Sequence, residues 1–393
     1  MVIYFLRQPE RIGQITHELF MLKGVYSPVD HQVFVAHPRA QPRGRHFSQD
    51  SYNIAMRDLI PLEARDEMED RVCYANIRDP FPMPNSDPPL TLILGSEPAI
   101  ARQWFARYGR SRDGYPIHWL TEVEKQRGER LGEKLGIGKD MPVVVLHVRE
   151  QGLLRLAYET HRNADIARYE RAIRLLLDRG HAVIRIGDPY CKPLPFKADG
   201  LIDTPFLDFY DRIGDPYFVS RCAFMINSYS GPAMLATAFN RPTLAVNVMP
   251  QDMTTMTDEV VVYKEYRPMG GRAMTLAEID RAGLMNAIAE HFAAAGCESA
   301  ENDSDLLHDA VLEMLERQAG RFTPSPALIE ANAKLDAFGR ARHEIFRQDS
   351  AHFMGYSLLG LHGRQSLSEA FLARYPNFMD QIEADGSVAS NPQ

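Results

Sequence analysis

The sequence predicts an α/β protein with two Rossmann-like domains and a helical C-terminal region. Between residues 142 and 248, short apolar runs alternate with helical stretches at the spacing of parallel βαβ units. Residues 1–108 show a weaker form of the same alternation, and after residue 274 the pattern is helical without a strand signal. We therefore expect three parts, at residues 1–138, 139–272 and 273–393.

Composition and charge exclude several classes of protein. The chain has 393 residues, of which 45% are hydrophobic and 24% charged, as in ordinary soluble globular proteins. A net charge of -8 argues against broad nucleic-acid binding, which needs a basic face. The four cysteines are far apart, which favours a reducing compartment without a zinc knuckle or a disulfide framework.

The sequence also predicts a cytoplasmic protein. The apolar part of the N-terminus is too short for a signal peptide. No apolar run approaches the roughly 20 residues that a membrane span needs. Peripheral membrane contact remains open.

The first predicted domain contains strands, helices and two proline-rich connections. The charged helix at 121–135 begins with Thr121 and Glu124, which have the spacing of a capping box. Glycines at 136 and 138 then place the domain boundary near residues 136–141. The other predicted elements are strands at 2–6, 31–37 and 90–96, helices at 14–22, 51–59 and 97–108, and loops at 38–45 and 77–90.

The second predicted domain shows the clearest alternation. Its predicted strands are 142–148, 181–186, 201–204, 223–227, 242–248 and 258–267. Its predicted helices are 164–179, 207–221 and 232–239, the second interrupted at 214–216. The C-terminal region has predicted helices from 275 and at 302–318, 326–347 and 366–374, with residues 383–393 expected to be disordered.

His147 and Arg149 follow the first strand of the second domain and point to the same side. In open α/β sheets, ligands bind outside the carboxyl ends of the strands. A guanidinium there can bind a phosphate in bidentate fashion and stabilise a leaving diphosphate. Alternatively, Arg149 is a surface arginine paired with Glu150 or Glu159, and His147 is a structural histidine.

A second group of candidates follows the next strand. Arg185 is a second basic residue at a strand end, and Gly187 permits close backbone approach. Asp188 can accept a hydrogen bond from a ribose or sugar hydroxyl, or it can form a turn with Pro189.

A third group lies at residues 228–232, between a strand and a helix. Ser228, Ser230 and Gly231 precede Pro232, which is favoured in the first turn of a helix. Hydroxyls and free N–H groups at such a position bind anions, although Ser230 is also a plain N-cap candidate. Together with Arg149, these residues predict the phosphate side of a nucleotide-sugar site.

Missing motifs narrow the chemistry. No GxGxxG follows a strand, and the sequence has no phosphate-binding P-loop, HExxH or GxSxG motif. No DxD-type pattern stands at a strand end, so neither a metal nor another cofactor is implied.

The combination HVRE, HRNADI, RIGDP, NSYSGP and AVN resembles a family of bacterial glycosyltransferases of GT-B type. RIGQI near the N-terminus and GRQSLSEAFLARYPNF at 363–378 extend the resemblance over most of the chain. The HxR element is similar to that of fucosyltransferases, which implies that Arg149 contacts the nucleotide diphosphate. Those enzymes usually follow HxR with a basic residue, whereas this chain has Glu150, a departure that argues against a GDP-fucose donor.

The leading hypothesis is sugar transfer from a nucleotide-activated donor in the second domain to a glycan or other acceptor, as in surface polysaccharide biosynthesis. Residues 11–18 and 39–45 of the first domain would face the acceptor. Glu150, His147 and His17 are candidates for the general base, with Glu150 preferred. A sugar-nucleotide epimerase or hydrolase and a non-catalytic glycan-assembly protein are the alternatives.

Overall fold

The computed structural model shows two parallel sheets, each at the centre of its own α/β unit. It describes residues 1–6, 12–38, 49–64, 81–83, 86–93, 100, 103–104, 107, 117–150, 157–228, 230–250, 258–285, 287–348 and 365–389. Within these ranges the strands form a five-stranded sheet, a seven-stranded sheet and a two-stranded ribbon. The predicted α/β fold class with two Rossmann-like units is confirmed by these sheets.

The first sheet has the strand order β3-β2-β1-β5-β4. All its pairs are parallel except β4 with β5. Its elements are β1 (Val2–Phe5), α1 (Ile12–Val25), β2 (Val33–Pro38), α2 (Gln49–Met56), β3 (Ile60–Ala64), β4 (Phe81–Met83) and β5 (Leu90–Ile93). Residues 39–45 of the predicted Arg-rich loop and most of the predicted helix at 97–108 lie outside the described residues.

The second sheet has the order β14-β11-β10-β9-β6-β7-β8, and its pairs are all parallel. Its β6, β9 and β10 strands are buried along their whole length, as expected for a parallel sheet covered on both faces. The unit comprises α3 (Glu122–Lys134), β6 (Val143–His147), α4 (Glu170–Asp178), β7 (Ala182–Arg185), β8 (Leu201–Asp203), α5 (Gly214–Arg221), β9 (Phe224–Asn227), α6 (Ala233–Ala238), β10 (Thr243–Val248) and β11 (Glu259–Tyr263). Short 3₁₀ helices occupy Ala157–Arg162, Ile166–Tyr169 and Thr204–Phe206.

The C-terminal region is helical but also supplies strands, so the prediction of no strand beyond residue 270 is wrong. Gln365–Leu367 (β14) joins the edge of the large sheet beside β11. Cys297–Ala300 (β13) pairs with Glu265–Pro268 (β12) in an antiparallel ribbon. The helices here are α7 (Leu276–Arg281), α8 (Ala289–Ala294), α9 (Ser304–Gln318), α10 (Pro326–Gln348) and α11 (Glu369–Arg374).

Other predicted boundaries need correction. Residues 214–216 begin α5 and do not interrupt a longer helix. The predicted strand at 258–267 is two strands. The tail was predicted to be disordered from residue 383, but it is ordered up to Ala389. The Ala389 N–H donates to Gln381 O at 2.9 Å, and the Ala389 carbonyl accepts from Arg281 at 2.9 Å.

The two units meet through packed helices and ion pairs. Helix α1 of the first unit packs on α6 of the second. Arg127 on α3 bridges Asp50 and Asp211 at 2.8 and 2.7 Å. The connecting segment at 117–120 is tied to α6, because the His118 N–H donates to Ala238 O at 2.8 Å. Within the described residues, no helix is long and apolar enough to cross a membrane.

Gly128 provides a test of the packing between α3 and α5. A Cβ atom at Gly128 would lie 2.1 Å from Cγ of the Tyr217 ring, so Gly128→Ala forces these helices apart. We expect a loss of about 1–2 kcal/mol in the free energy of unfolding, since overpacking outweighs the better helix propensity of alanine. The urea midpoint measures this loss.

Gly138→Ala is the matched control. A Cβ atom there has no neighbour within 4 Å, so this substitution leaves the urea midpoint nearly unchanged. Equal midpoints for the two variants would show that α3 and α5 are not packed as described.

Candidate functional site

The chain order of the large sheet reverses between β6 and β9, and these strands end side by side. After β6 the chain builds β7 and β8 on one side, then crosses to β9 on the other side. His147 at the end of β6 lies opposite Asn227 at the end of β9. Such a switch point is where open α/β sheets bind ligands, outside the carboxyl ends of the strands.

Backbone hydrogen bonds hold the two strand ends together beyond the last paired residues. The Ser228 N–H donates to His147 O at 3.2 Å. The Arg149 N–H donates to the hydroxyl oxygen of Ser228. The structure therefore places two predicted site residues, Arg149 and Ser228, at the switch point, with the Ser228 hydroxyl engaged by the protein itself.

Arg149 belongs to a cluster of cations at the ends of β6 and β11. Burial lowers the pKa of Lys264 to about 8, together with the positive charges of Arg168, Arg149 and Arg162 and against the opposing carboxylate of Glu301. The effect of all three guanidinium groups on Lys264 shows that they lie near its ammonium group. A region with this excess of positive charge attracts an anion such as a diphosphate.

Lys264 is the residue that sequence reasoning missed. Its ammonium group donates to His161 O at 2.9 Å and to Asn163 O at 2.7 Å, so it fixes the segment that carries Arg162. Lys264 directly follows β11, and the rule that identified Arg149 at a strand end also applies to it.

His147 is buried, with 7% of its surface exposed. Its Nδ1 atom has no hydrogen-bond partner among the described residues. Burial, with the charges of Arg185 and Arg149, lowers the pKa of His147 to about 3. The imidazole is therefore neutral at physiological pH and a weak proton acceptor.

Glu150 and Arg185 form an ion pair below the strand ends. Their side chains meet at 2.7 Å, and Arg185 is only 1% exposed. Arg185 also binds Asp203 at 3.0 Å and Lys192 O at 2.6 Å. Glu150 accepts a second bond from the Lys192 N–H at 3.1 Å, and burial raises the pKa of its carboxyl group. Arg185 was predicted to bind the donor, and Glu150 was predicted to act as the general base. In the structure both side chains are bound to other groups of the protein.

Gly187 and Asp188 have local structural roles in the loop after β7. The Asp188 carboxylate accepts from the Tyr190 N–H at 2.8 Å. Asp188 therefore forms a turn, which was one of its two predicted roles. An added Cβ at Gly187 would make only ordinary contact, 3.5 Å from Pro205. The protein interior therefore does not require glycine at this position.

Gly231 lies at a close backbone contact between the two units. A Cβ atom built at Gly13 in the first turn of α1 would lie 2.7 Å from the Cα of Gly231. Ser230 does not cap α6, because the N-cap residue is Pro232 and no side chain bonds there. Since α6 has only six residues, its dipole contributes less to anion binding than a longer helix would.

The Gly13–Gly231 contact has a consequence for the whole site. Both glycines stand at the start of a helix that follows a parallel strand, β1 in the first unit and β9 in the second. The carboxyl ends of β1 and β9 therefore both lead to this contact. Of the predicted acceptor residues, His17 is buried in α1, whereas Arg11 and residues 39–45 lie outside the described residues.

Comparison with known proteins gives distant structural similarities. No protein-family model and no curated protein sequence matches the chain. The family 9 glycosyl transferase from Veillonella parvula is similar over 80% of this chain and 97% of its own, with 12% identity and a TM-score of 0.43. The ADP-heptose lipopolysaccharide heptosyltransferase II of E. coli covers 62% of this chain and 83% of its own, with 12% identity and a TM-score of 0.36.

A third similar structure is the E. coli heptosyltransferase WaaC with ADP, at 12% identity. It covers 75% of this chain and 99% of its own, with a TM-score of 0.35. Similarities of this degree carry no conclusion about activity, and the fold class stated above rests on the strand order of the chain itself.

Proposed function

We propose that the chain is a glycosyltransferase that moves a sugar from a nucleotide-activated donor to a glycan or other acceptor. One observation carries this proposal, the cation cluster of Arg149, Arg162, Arg168 and Lys264 at the ends of β6 and β11. The carboxyl end of β1 in the first unit leads to Gly13, which lies against Gly231 at the same edge of the large sheet. A nucleotide sugar is an anion with a diphosphate in its middle, and it fits a cationic sheet edge that a second domain covers.

Arg149 is the proposed ligand of the diphosphate. Its backbone is fixed by bonds on both sides, from the Ala164 N–H to Arg149 O at 2.9 Å and from its own N–H to Ser228. A guanidinium on a fixed backbone meets the charge that develops on the leaving diphosphate without reorganisation. Arg162 is the proposed second cation, and Lys264 is a positioning residue that holds its segment. With these cations, the proposal needs no metal.

Because of their contacts, we propose other roles for Arg185, Glu150 and His147 than donor binding and base catalysis. The Arg185–Glu150 pair supports the floor of the site, because neither group is positioned as a free ligand or base. A proton acceptor with a pKa of about 3, as for His147, is ineffective near neutral pH. We therefore assign the general base to the acceptor side, in the first domain.

A nucleotide screen tests the proposal. The purified protein is heated with UDP, GDP, ADP, CMP and dTDP and with their sugar conjugates. We expect one nucleotide to raise Tm by roughly 3–6 °C at 100 times its Kd, which corresponds to about 2.7 kcal/mol of stabilisation. The matching sugar nucleotide is then incubated with and without candidate acceptors.

The outcomes separate the alternatives. Release of the nucleotide only with an acceptor supports transfer, whereas equal conversion without an acceptor supports an epimerase or hydrolase. If no nucleotide changes Tm, the chain is a non-catalytic glycan-assembly protein or has another function.

A further inference from the structure

A cavity of about 480 Å³ lies at the far end of α1 from Gly13. It is bounded by the end of α1, the residues that follow α2, and the segment at 117–120 that connects the two units. The walls include Lys23, Arg57, Asp58, His118 and Trp119. Because ten residues of helix span about 15 Å, Lys23 is well separated from the proposed donor site at Gly13.

Two polar groups of the cavity lack strong partners. The Lys23 ammonium group makes one long hydrogen bond, 3.4 Å to Ile54 O. His118 is buried, and its Nε2 atom has no hydrogen-bond partner among the residues that the structure describes. Because this Nε2 atom is fully buried, Lys23 is the polar group of the two that a ligand in the cavity can reach.

Within the described residues, no carboxylate lies within ion-pair distance of the Lys23 ammonium group. Arg57 is neutralised by Glu124, with bonds of 2.7 and 2.8 Å to its two carboxylate oxygens. Asp58 is the carboxylate that acts on Lys23, and burial nevertheless lowers the pKa of Lys23 to about 8. Lys23 is therefore mainly charged at neutral pH, and a ligand with one negative charge would relieve its desolvation.

The remaining wall is apolar and accessible. Trp119 is 54% exposed and Ile117 49% exposed, although both are large hydrophobic side chains. The Arg57 guanidinium lies 4.3 Å from the centre of the Trp119 ring, which fixes the ring as one face of the cavity. The volume lies within the range of about 300–1,000 Å³ that is usual for small-molecule sites.

We propose that this cavity binds a small monoanion with an aromatic or aliphatic body. Its carboxylate or equivalent group accepts from Lys23, and its apolar body lies against Trp119 and Ile117. This site is separate from the proposed donor site and does not depend on the proposed function.

A fluorescence titration with 2-naphthoate tests the proposal. The chain has two tryptophans, of which Trp104 is buried in the first domain, so a change in emission that Trp119→Phe abolishes reports on the cavity. We expect saturable binding of 2-naphthoate to the full chain, and binding of uncharged 2-naphthamide at least tenfold weaker. Lys23→Met is expected to weaken 2-naphthoate binding at least tenfold, and Lys23→Arg, which keeps the charge, to change it less than about threefold.

Arg149→Ala serves as the independent control and leaves 2-naphthoate binding unchanged. The proposal is overturned if emission does not saturate, if the acid and the amide bind equally, or if a folded Lys23→Met protein binds like the native chain. Because Lys23→Arg keeps the charge and most of the volume, it separates loss of the ligand contact from loss of the fold.

Discussion

Replacing Arg149 with alanine is expected to lower kcat/KM for the nucleotide-sugar donor at least 100-fold. Removing one preorganised donor to a developing negative charge typically costs a factor of about 100–1,000, or at least 2.7 kcal/mol of transition-state stabilisation. The fold survives, because the bonds that Arg149 makes to Ser228 and Ala164 come from its backbone. Initial rates with the donor found in the nucleotide screen measure the effect, with circular dichroism confirming the fold.

Arg321→Ala is the matched control for Arg149→Ala. Arg321 is an exposed arginine in the C-terminal region, and its partner is Glu316 at 2.8 Å. Arg321→Ala removes the same charge from the chain but changes no contact at the switch point. Exposed ion pairs contribute little to stability, so we expect the rate to stay within about twofold of the native rate. Near-normal turnover by a folded Arg149→Ala protein would remove Arg149 from the proposed site.

The sequence predicted the strand ends well but not which of them meet. Most strands of the large sheet were predicted within one or two residues, because continuous buried runs are a strong signal. The contact between Arg149 and Ser228 depends on β9 lying beside β6, although β7 and β8 intervene along the chain. No local pattern encodes that crossover.

Arg185 and Arg149 look alike in sequence but differ in register. Arg185 is the last residue of β7 and lies opposite Leu146, inside the sheet. Arg149 lies two residues beyond the end of β6 and is outside the sheet. This difference places one guanidinium in a buried ion pair and the other at the switch point, and only the pairing register shows it.

Strand β14 shows where a sequence signal is too weak to predict an element. Strand β14 has three residues, Gln365, Ser366 and Leu367, and only Leu367 is buried. These residues form a strand because they pair with β11 at the edge of the large sheet, where Ser366 lies opposite Val260. Tertiary context, not local propensity, determines this element.

The attachment of the C-terminal region to the large sheet gives the second large effect. Asn247, at the end of β10, and Asn302, just before α9, exchange two hydrogen bonds. The Asn247 N–H donates to Asn302 Oδ1 at 2.6 Å, and the Asn302 N–H donates to Asn247 Oδ1 at 2.8 Å. Asn302 also donates to Tyr263 O at 2.8 Å, and both asparagines are buried.

Asn302→Ala is therefore expected to lower the free energy of unfolding by about 2–5 kcal/mol. It removes the side chain that accepts from the buried Asn247 N–H and donates to the Tyr263 carbonyl, and each buried hydrogen bond lost in this way costs about 1–3 kcal/mol. The urea midpoint measures the loss, and Asn53→Ala, which removes an exposed hydrogen bond with Gln49, is expected to change it by less than about 0.5 kcal/mol.

A double-mutant cycle locates the cause of this loss. Asn247 has a φ of +54°, which asparagine tolerates better than most residues, so Asn247→Gly keeps the backbone conformation while removing the side chain. Asn302→Ala removes one of the two bonds and Asn247→Gly removes the other. If loss of either bond already detaches the C-terminal region from the sheet, the double variant is less destabilised than the sum of the single variants by about 0.5–3 kcal/mol. Simple additivity would mean that the two asparagines stabilise the protein separately, and the attachment would then depend on the apolar contacts of α9 with α4.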